Sequence, residues 1–102
     1  MGLRPAGTQH EKGGKLLTFF LADEEYGIEI LKVQEIFGIM CITPVPRTPH
    51  FIRGVINLRG KVITVVDLRL KFGMAEHEQT AETCIIVVHT CAAEMGVVVD
   101  RV

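Results

Sequence analysis

Apolar residues along this chain fall in short runs, each closed by a turn signal, and the runs are β-branched and aromatic rather than helical in period. Residues 15–22 (KLLTFFLA) predict a strand, Asp23, Glu24 and Glu25 a turn, and residues 26–30 (YGIEI) the returning strand of a hairpin. Leu31, Val33 and Ile36 keep no single period, but residues 36–42 (IFGIMCI) predict a strand from their β-branched and aromatic content. Pro44 and Pro46 end it, because proline cannot donate to a ladder. Residues 49–51 predict a helical turn or loop. Residues 54–58 (GVINL) and 61–66 (KVITVV) flank Arg59-Gly60, a strand–turn–strand signal in which Gly60 supplies the conformational freedom of a tight turn. Residues 67–72 predict a short helix, with Asp67 suited to the N-cap, Leu68 and Phe72 four apart, and Gly73 just past the end. After a polar loop at 74–82, residues 83–89 (TCIIVVH) and 95–102 (MGVVVDRV) predict the last two strands. Many short strands with little room for long helices describe a small, mainly β barrel or sandwich.

Composition narrows the class. The chain has 102 residues, 48% of them hydrophobic and 23% charged, which is one globular domain with a thin core. A net charge of −1 argues against nucleic acid, which selects basic patches. No apolar run approaches the roughly 20 residues of a membrane span. Residues 1–14 are polar and Gly-rich without an apolar signal segment and are expected to form a disordered tail before a domain at 15–102. Three cysteines, Cys41, Cys84 and Cys91, without a secretory signal read as reduced thiols in a cytoplasm.

Catalytic constellations are missing from the sequence. It holds no Gly-rich phosphate loop and no serine, so serine-nucleophile chemistry is excluded. Cys84 and His89 lie five apart in one predicted strand and point to opposite faces, which opposes a thiol–imidazole pair. His10, His50, His77 and His89 are scattered rather than set at metal-ligand spacing. Five Phe and one Tyr, mostly inside apolar runs, are too few to line an aromatic peptide groove or a single-strand nucleic-acid platform. An enzyme or metal-dependent sensor built on Cys84, Cys91 and His89 is the reading of another class, and the spacing opposes it. No catalytic residue, cofactor or metal is expected.

Three segments stand out for other reasons: YGIEILKVQEI at 26–36, TPVPRTPHFIRG at 43–54 and VINLRGKVITVVDLRLKF at 55–72. In this order and spacing they resemble the CheW domain family, and the likeness runs from about Leu16 to Val102. Its most specific part is the turn Asn57-Leu58-Arg59-Gly60 followed by Val66-Asp67-Leu68-Arg69. The resemblance implies a pair of small SH3-like β-barrels with one or two short helices. It also implies a non-catalytic adaptor that couples the signalling tip of a chemoreceptor to the regulatory domain of the chemotaxis histidine kinase, without nucleic acid or membrane insertion. The alternative within the family is the CheW-like portion of a larger kinase or receiver-fused coupling protein, and the start at Met1 favours a free-standing protein.

Carried over residue by residue, the resemblance makes Arg59 and Glu35 protein-binding residues, Ile30 and Val33 apolar positions of a groove for a receptor helix, and Val98 a candidate for the opposite wall. Gly54, Asn57 and Gly60 serve backbone geometry, and Asp67 caps a helix. The family domain usually continues past Asp100-Arg101-Val102. On that reading the first barrel is whole and the second incomplete, with an exposed edge at Val97, Val98 and Val99. Such an edge would be completed by a strand-exchanged second copy or by a partner's strand.

Overall fold

A computed structural model describes residues 4–5, 15–75, 79–89 and 93–102. The chain forms β1 (Arg4–Pro5), β2 (Leu16–Leu21), β3 (Glu24–Glu29), a single 3-10 turn (Ile30–Lys32), β4 (Val33–Gly38), β5 (Ile52–Leu58), β6 (Lys61–Asp67), α1 (Leu68–Lys71), β7 (Cys84–His89) and β8 (Glu94–Val99). These make a three-stranded sheet in the order β1-β3-β2 and a five-stranded sheet in the order β4-β7-β8-β6-β5. The mainly β reading with a short helix therefore holds.

The alternating hairpin signals became hairpins. In β2–β3 the turn is tighter than the sequence suggested: Ala22 and Asp23 make it, Ala22 with φ of 55°, and Glu24 and Glu25 already belong to β3. Arg4–Pro5 pairs with Gly27 and Tyr26 of β3. The remainder of the segment read as a tail lies outside the described residues.

The five-stranded sheet is apolar on both faces. One cluster joins Phe19, Leu21 and Ile28 of the smaller sheet to Val66, Leu68, Ile86, Val88, Val97 and Val99. The other gathers Ile56, Ile63, Val65, Ile85, Val87 and Val98, with Phe37, Ile39, Met40, Ile42 and Leu58 packed against it. Burial on both faces is why β7 and β8 read as unbroken apolar runs instead of alternating. Each such side chain contributes about 1.5–3 kcal/mol when fully withdrawn from water.

Two expectations fail here. Residues 36–42 are not one strand: β4 starts earlier, at Val33, and ends at Gly38. Ile39, Met40 and Ile42 are apolar because they cover the second cluster, not because they join the β4 ladder. The chain beyond them reaches the far side of the sheet, where Thr43 bridges Val55 of β5. Nor is Val97-Val98-Val99 an open edge. β8 lies inside the sheet, antiparallel to β7 and parallel to β6, with Val97 and Val99 essentially inaccessible. The larger sheet is built from the later strands, and the smaller one from β1 and the first hairpin.

Gly54 is where the backbone demands glycine. It has φ of 143° at a β-bulge, and a Cβ there would overlap the Thr43 carbonyl. That close approach lets the Thr43–Val55 bridge form, with Thr43 N–H donating to the Val55 carbonyl at 2.9 Å and Val55 N–H returning at 2.8 Å.

Candidate functional site

The β5–β6 hairpin turns on Arg59 and Gly60, with φ of 53° and 83°. Positive φ at both central residues is the type I′ geometry, whose twist matches that of the flanking strands. Asn57 Oδ1 accepts the Gly60 N–H at 3.1 Å and closes the turn. The first central position favours Asn, Asp or Gly, so an arginine held left-handed there points to a side-chain role.

That role is visible in the geometry. The Arg59 guanidinium donates through both terminal nitrogens to the two carboxylate oxygens of Glu35 on β4, with Nη2 to Oε2 at 2.8 Å. The hydrogen bonds, then the charge of Glu35, raise the Arg59 pKa above its ordinary value. A planar fork meeting a carboxylate in this way fixes direction as well as charge. Since β4 and β5 are the two outer strands of the five-stranded sheet, the pair ties its edges together at one end. Arg59 remains 69% exposed, whereas Glu35 is only 22% exposed. Beside it, Lys61 Nζ bonds Glu94 Oε1 at 2.9 Å, and this hydrogen bond holds the Glu94 carboxyl below the usual range.

Ile30 lies in the 3-10 turn that links the two sheets, half-exposed, next to the almost fully exposed Leu31. Val33 opens β4 opposite Val88 and packs against the first cluster. Val98 is elsewhere: it is 8% exposed and belongs to the second cluster, on the other face of the sheet. The structure thus brings Arg59 and Glu35 together, keeps Ile30 and Val33 near each other along the chain, and sets Val98 apart from them.

A second polar cluster sits at the other end of the sheet. Asp100 accepts from Arg69 Nε at 2.8 and 3.0 Å, from Arg69 Nη2 at 2.5 Å, and from the Ala22 N–H at 2.7 Å. It therefore joins α1, the end of β8 and the β2–β3 turn. Asp67 accepts the Leu70 N–H at 3.3 Å as the helix N-cap and lies 3.4 Å from Arg53 Nη1. Sequence reasoning assigned no role to Asp100, and for Arg69 the only signal was its place in Val66-Asp67-Leu68-Arg69.

Cys84 is half-buried and donates to the Glu82 carbonyl, and burial pushes its thiol pKa up, the reverse of an activated nucleophile. Cys91, His10 and His77 lie outside the described residues. Among the described residues, no three His, Cys, Asp or Glu are grouped to hold a metal ion, and no helix is long and apolar enough to cross a membrane.

Residues 15–102 match the family model described as a CheW-like domain. The chain belongs to the CheW-like domain family. Among curated CheW-like relatives, it is 46% identical over 90 residues to the chemotaxis protein CheW of Klebsiella aerogenes, covering 88% of this chain and 54% of the relative. To the chemotaxis protein CheW of Helicobacter pylori it is 39% identical over 99 residues, covering 94% and 60%. The crystal structure of the scaffolding protein TtCheW from Thermoanaerobacter tengcongensis superposes with a TM-score of 0.82 at 41% identity, covering 86% of this chain and 60% of that one. The chain thus spans little more than half the length of these CheW-like relatives. The matched region contains the β2–β3 hairpin, the five-stranded sheet and the Arg59–Glu35 pair.

Proposed function

We propose that this CheW-like chain is a non-catalytic cytoplasmic adaptor that couples the signalling tip of a chemoreceptor to the regulatory domain of the chemotaxis histidine kinase. The observation that carries the reading is the Arg59–Glu35 pair: residues 24 apart in sequence meet at a turn whose left-handed arginine serves no purpose of the turn itself. Arg59 offers a partner carboxylate its planar fork from a rigid hairpin tip, and Glu35 holds that fork in one orientation. Ile30 and Val33, beside the exposed Leu31, supply the apolar ground on which a receptor helix would rest. Val98, buried in the second cluster on the other face of the sheet, is left out of this surface.

Pull-down with a receptor signalling tip and, separately, a kinase regulatory domain tests the reading. Arg59→Asn keeps the preferred turn residue type and should melt no lower than the parent, yet should weaken at least one partner about tenfold or more, the loss typical of a charged anchor. Unchanged binding of both partners by Arg59→Asn and Arg59→Glu would refute the role of Arg59.

A further inference from the structure

Beside the β5–β6 turn, the second apolar cluster ends in a charged rim. Side chains two apart on a strand share a face, so the strands that build the cluster carry that face outward to the rim. On β4 Phe37 packs against the cluster and Glu35 lies two residues before it. On β6 Ile63 is buried and Lys61 lies two residues before it. On β8 Val98 is buried and Glu94, on the same face, opens the strand opposite His89 of β7. Arg59 closes the rim from the turn.

This rim has an inside and an outside. The Arg59 and Lys61 side chains are 69% and 67% exposed, whereas Glu35 and Glu94 behind them are 22% and 23% exposed. Each cation therefore stands in front of a recessed carboxylate. Glu94 is fixed from two strands: Lys61 Nζ donates to it at 2.9 Å, and Gln34 of β4 adds a side-chain hydrogen bond. Lys61 is thus aimed by Glu94 as Arg59 is aimed by Glu35. Only Gly60 separates the two cations in sequence, so their Cα atoms lie within about 7 Å of each other.

We propose that Lys61 and Arg59 act together as a two-cation reader for an acidic segment of a partner protein, one that presents two carboxylates side by side. The proposal rests on the reading of Arg59 as a partner contact and adds a second contact of a different kind. A guanidinium fork fixes direction, whereas an ammonium is a compact, strongly hydrated charge on a flexible stem. Lys61 therefore speeds encounter, and Arg59 holds the complex once formed. A nucleic-acid backbone fits this rim poorly, because it needs an unbroken basic track and here Glu35 and Glu94 alternate with the cations.

Association and dissociation rates with a receptor signalling tip and with a kinase regulatory domain test the proposal, measured at low and at high salt. Lys61→Gln should slow association with one of these partners about tenfold at low salt, and the difference should fade at high salt. Its dissociation rate should change far less, and the partner affected should be the one that Arg59→Asn weakens. The melting temperature of Lys61→Gln should match the parent, since an exposed pair adds little to folding. Lys71→Gln makes the same change in net charge on α1, where Lys71 lies 4.3 Å over the Phe51 ring, and should leave both rates unaltered. If Arg59→Asn weakens a partner while Lys61→Gln leaves its association unchanged, the two-cation reader is overturned and the adaptor reading stands. If Arg59→Asn weakens neither partner, the role of Arg59 fails and the reader falls with it. Equal slowing by Lys71→Gln would assign the effect to net charge alone, and slowing that persists undiminished at high salt would assign it to altered structure; either result overturns the proposal.

Discussion

Replacing Asp100 should unfold this domain more readily than replacing any other exposed or half-exposed polar residue described above. Its carboxylate takes three bonds from Arg69 and one from the Ala22 N–H, and the two side chains are only 13% and 20% exposed. Asp100→Ala would leave the Arg69 guanidinium with a weak 3.4 Å contact to the Ala75 carbonyl and strand the Ala22 donor. Breaking a buried pair from one side costs about 3–5 kcal/mol. The residual exposure lets water reach part of the site, so about 2–4 kcal/mol is expected. At about 4–8 °C per kcal/mol for a domain near this size, the melting temperature should fall by roughly 8–32 °C. Urea unfolding followed by circular dichroism gives the free energy directly. Arg69→Met should be less damaging than Asp100→Ala, because it leaves Asp100 bonded to Ala22, and the double variant should cost clearly less than the sum of the singles. A loss under about 0.5 kcal/mol for Asp100→Ala, or strict additivity in the cycle, would refute the clasp.

Gly54→Ala should destabilise by about 2–4 kcal/mol, since a Cβ meets the Thr43 carbonyl and positive φ is denied at once, and a two-state urea titration would measure it. Native-state alkylation followed by mass spectrometry should modify exposed Cys41 well before Cys84, whose burial disfavours the thiolate. Glu94 has its pKa lowered by Lys61 in the folded state, so the stability it adds is present above the ordinary glutamate value of 4.5 and is lost as pH falls through the lower folded value. Glu94→Gln should therefore remove that small contribution at neutral pH, flatten the acid limb just below 4.5, and leave stability unchanged once pH lies below the folded value.

Local signals were legible in this sequence and long-range pairings were not. The Arg59-Gly60 turn and the Asp67 cap each depend on a few neighbouring residues, and both formed as the residue types suggested. The Glu35–Arg59 and Arg69–Asp100 bonds span 24 and 31 positions, and nothing local announces them; resemblance made Arg59 and Glu35 each a protein-binding residue without showing that they bond each other. The misreading of β8 has a usable cause. Val97, Val98 and Val99 are consecutive, so both faces of that strand are apolar, and only a strand covered on both faces needs that. The same three residues that suggested an adhesive edge were the signal of a central strand.

The two arginine–carboxylate pairs show how one chemistry serves two ends. Both are multidentate, and both join elements distant in sequence. Arg69 is withdrawn from water with Asp100, so opening that pair exposes unsatisfied groups within the packed joint between the sheets, and no partner could approach at low cost. Arg59 stands 69% exposed on a hairpin tip, where water already solvates most of the guanidinium. An exposed pair contributes little to folding and costs little to open. Glu35 can therefore orient the fork in the free protein and share or yield it when a partner carboxylate arrives. Stability measurements should consequently respond to Asp100 and Arg69 but scarcely to Arg59, while binding measurements should respond in the opposite order. A variant set in which both readouts moved together would remove the distinction between a clasp that holds the fold and a contact that is offered outward.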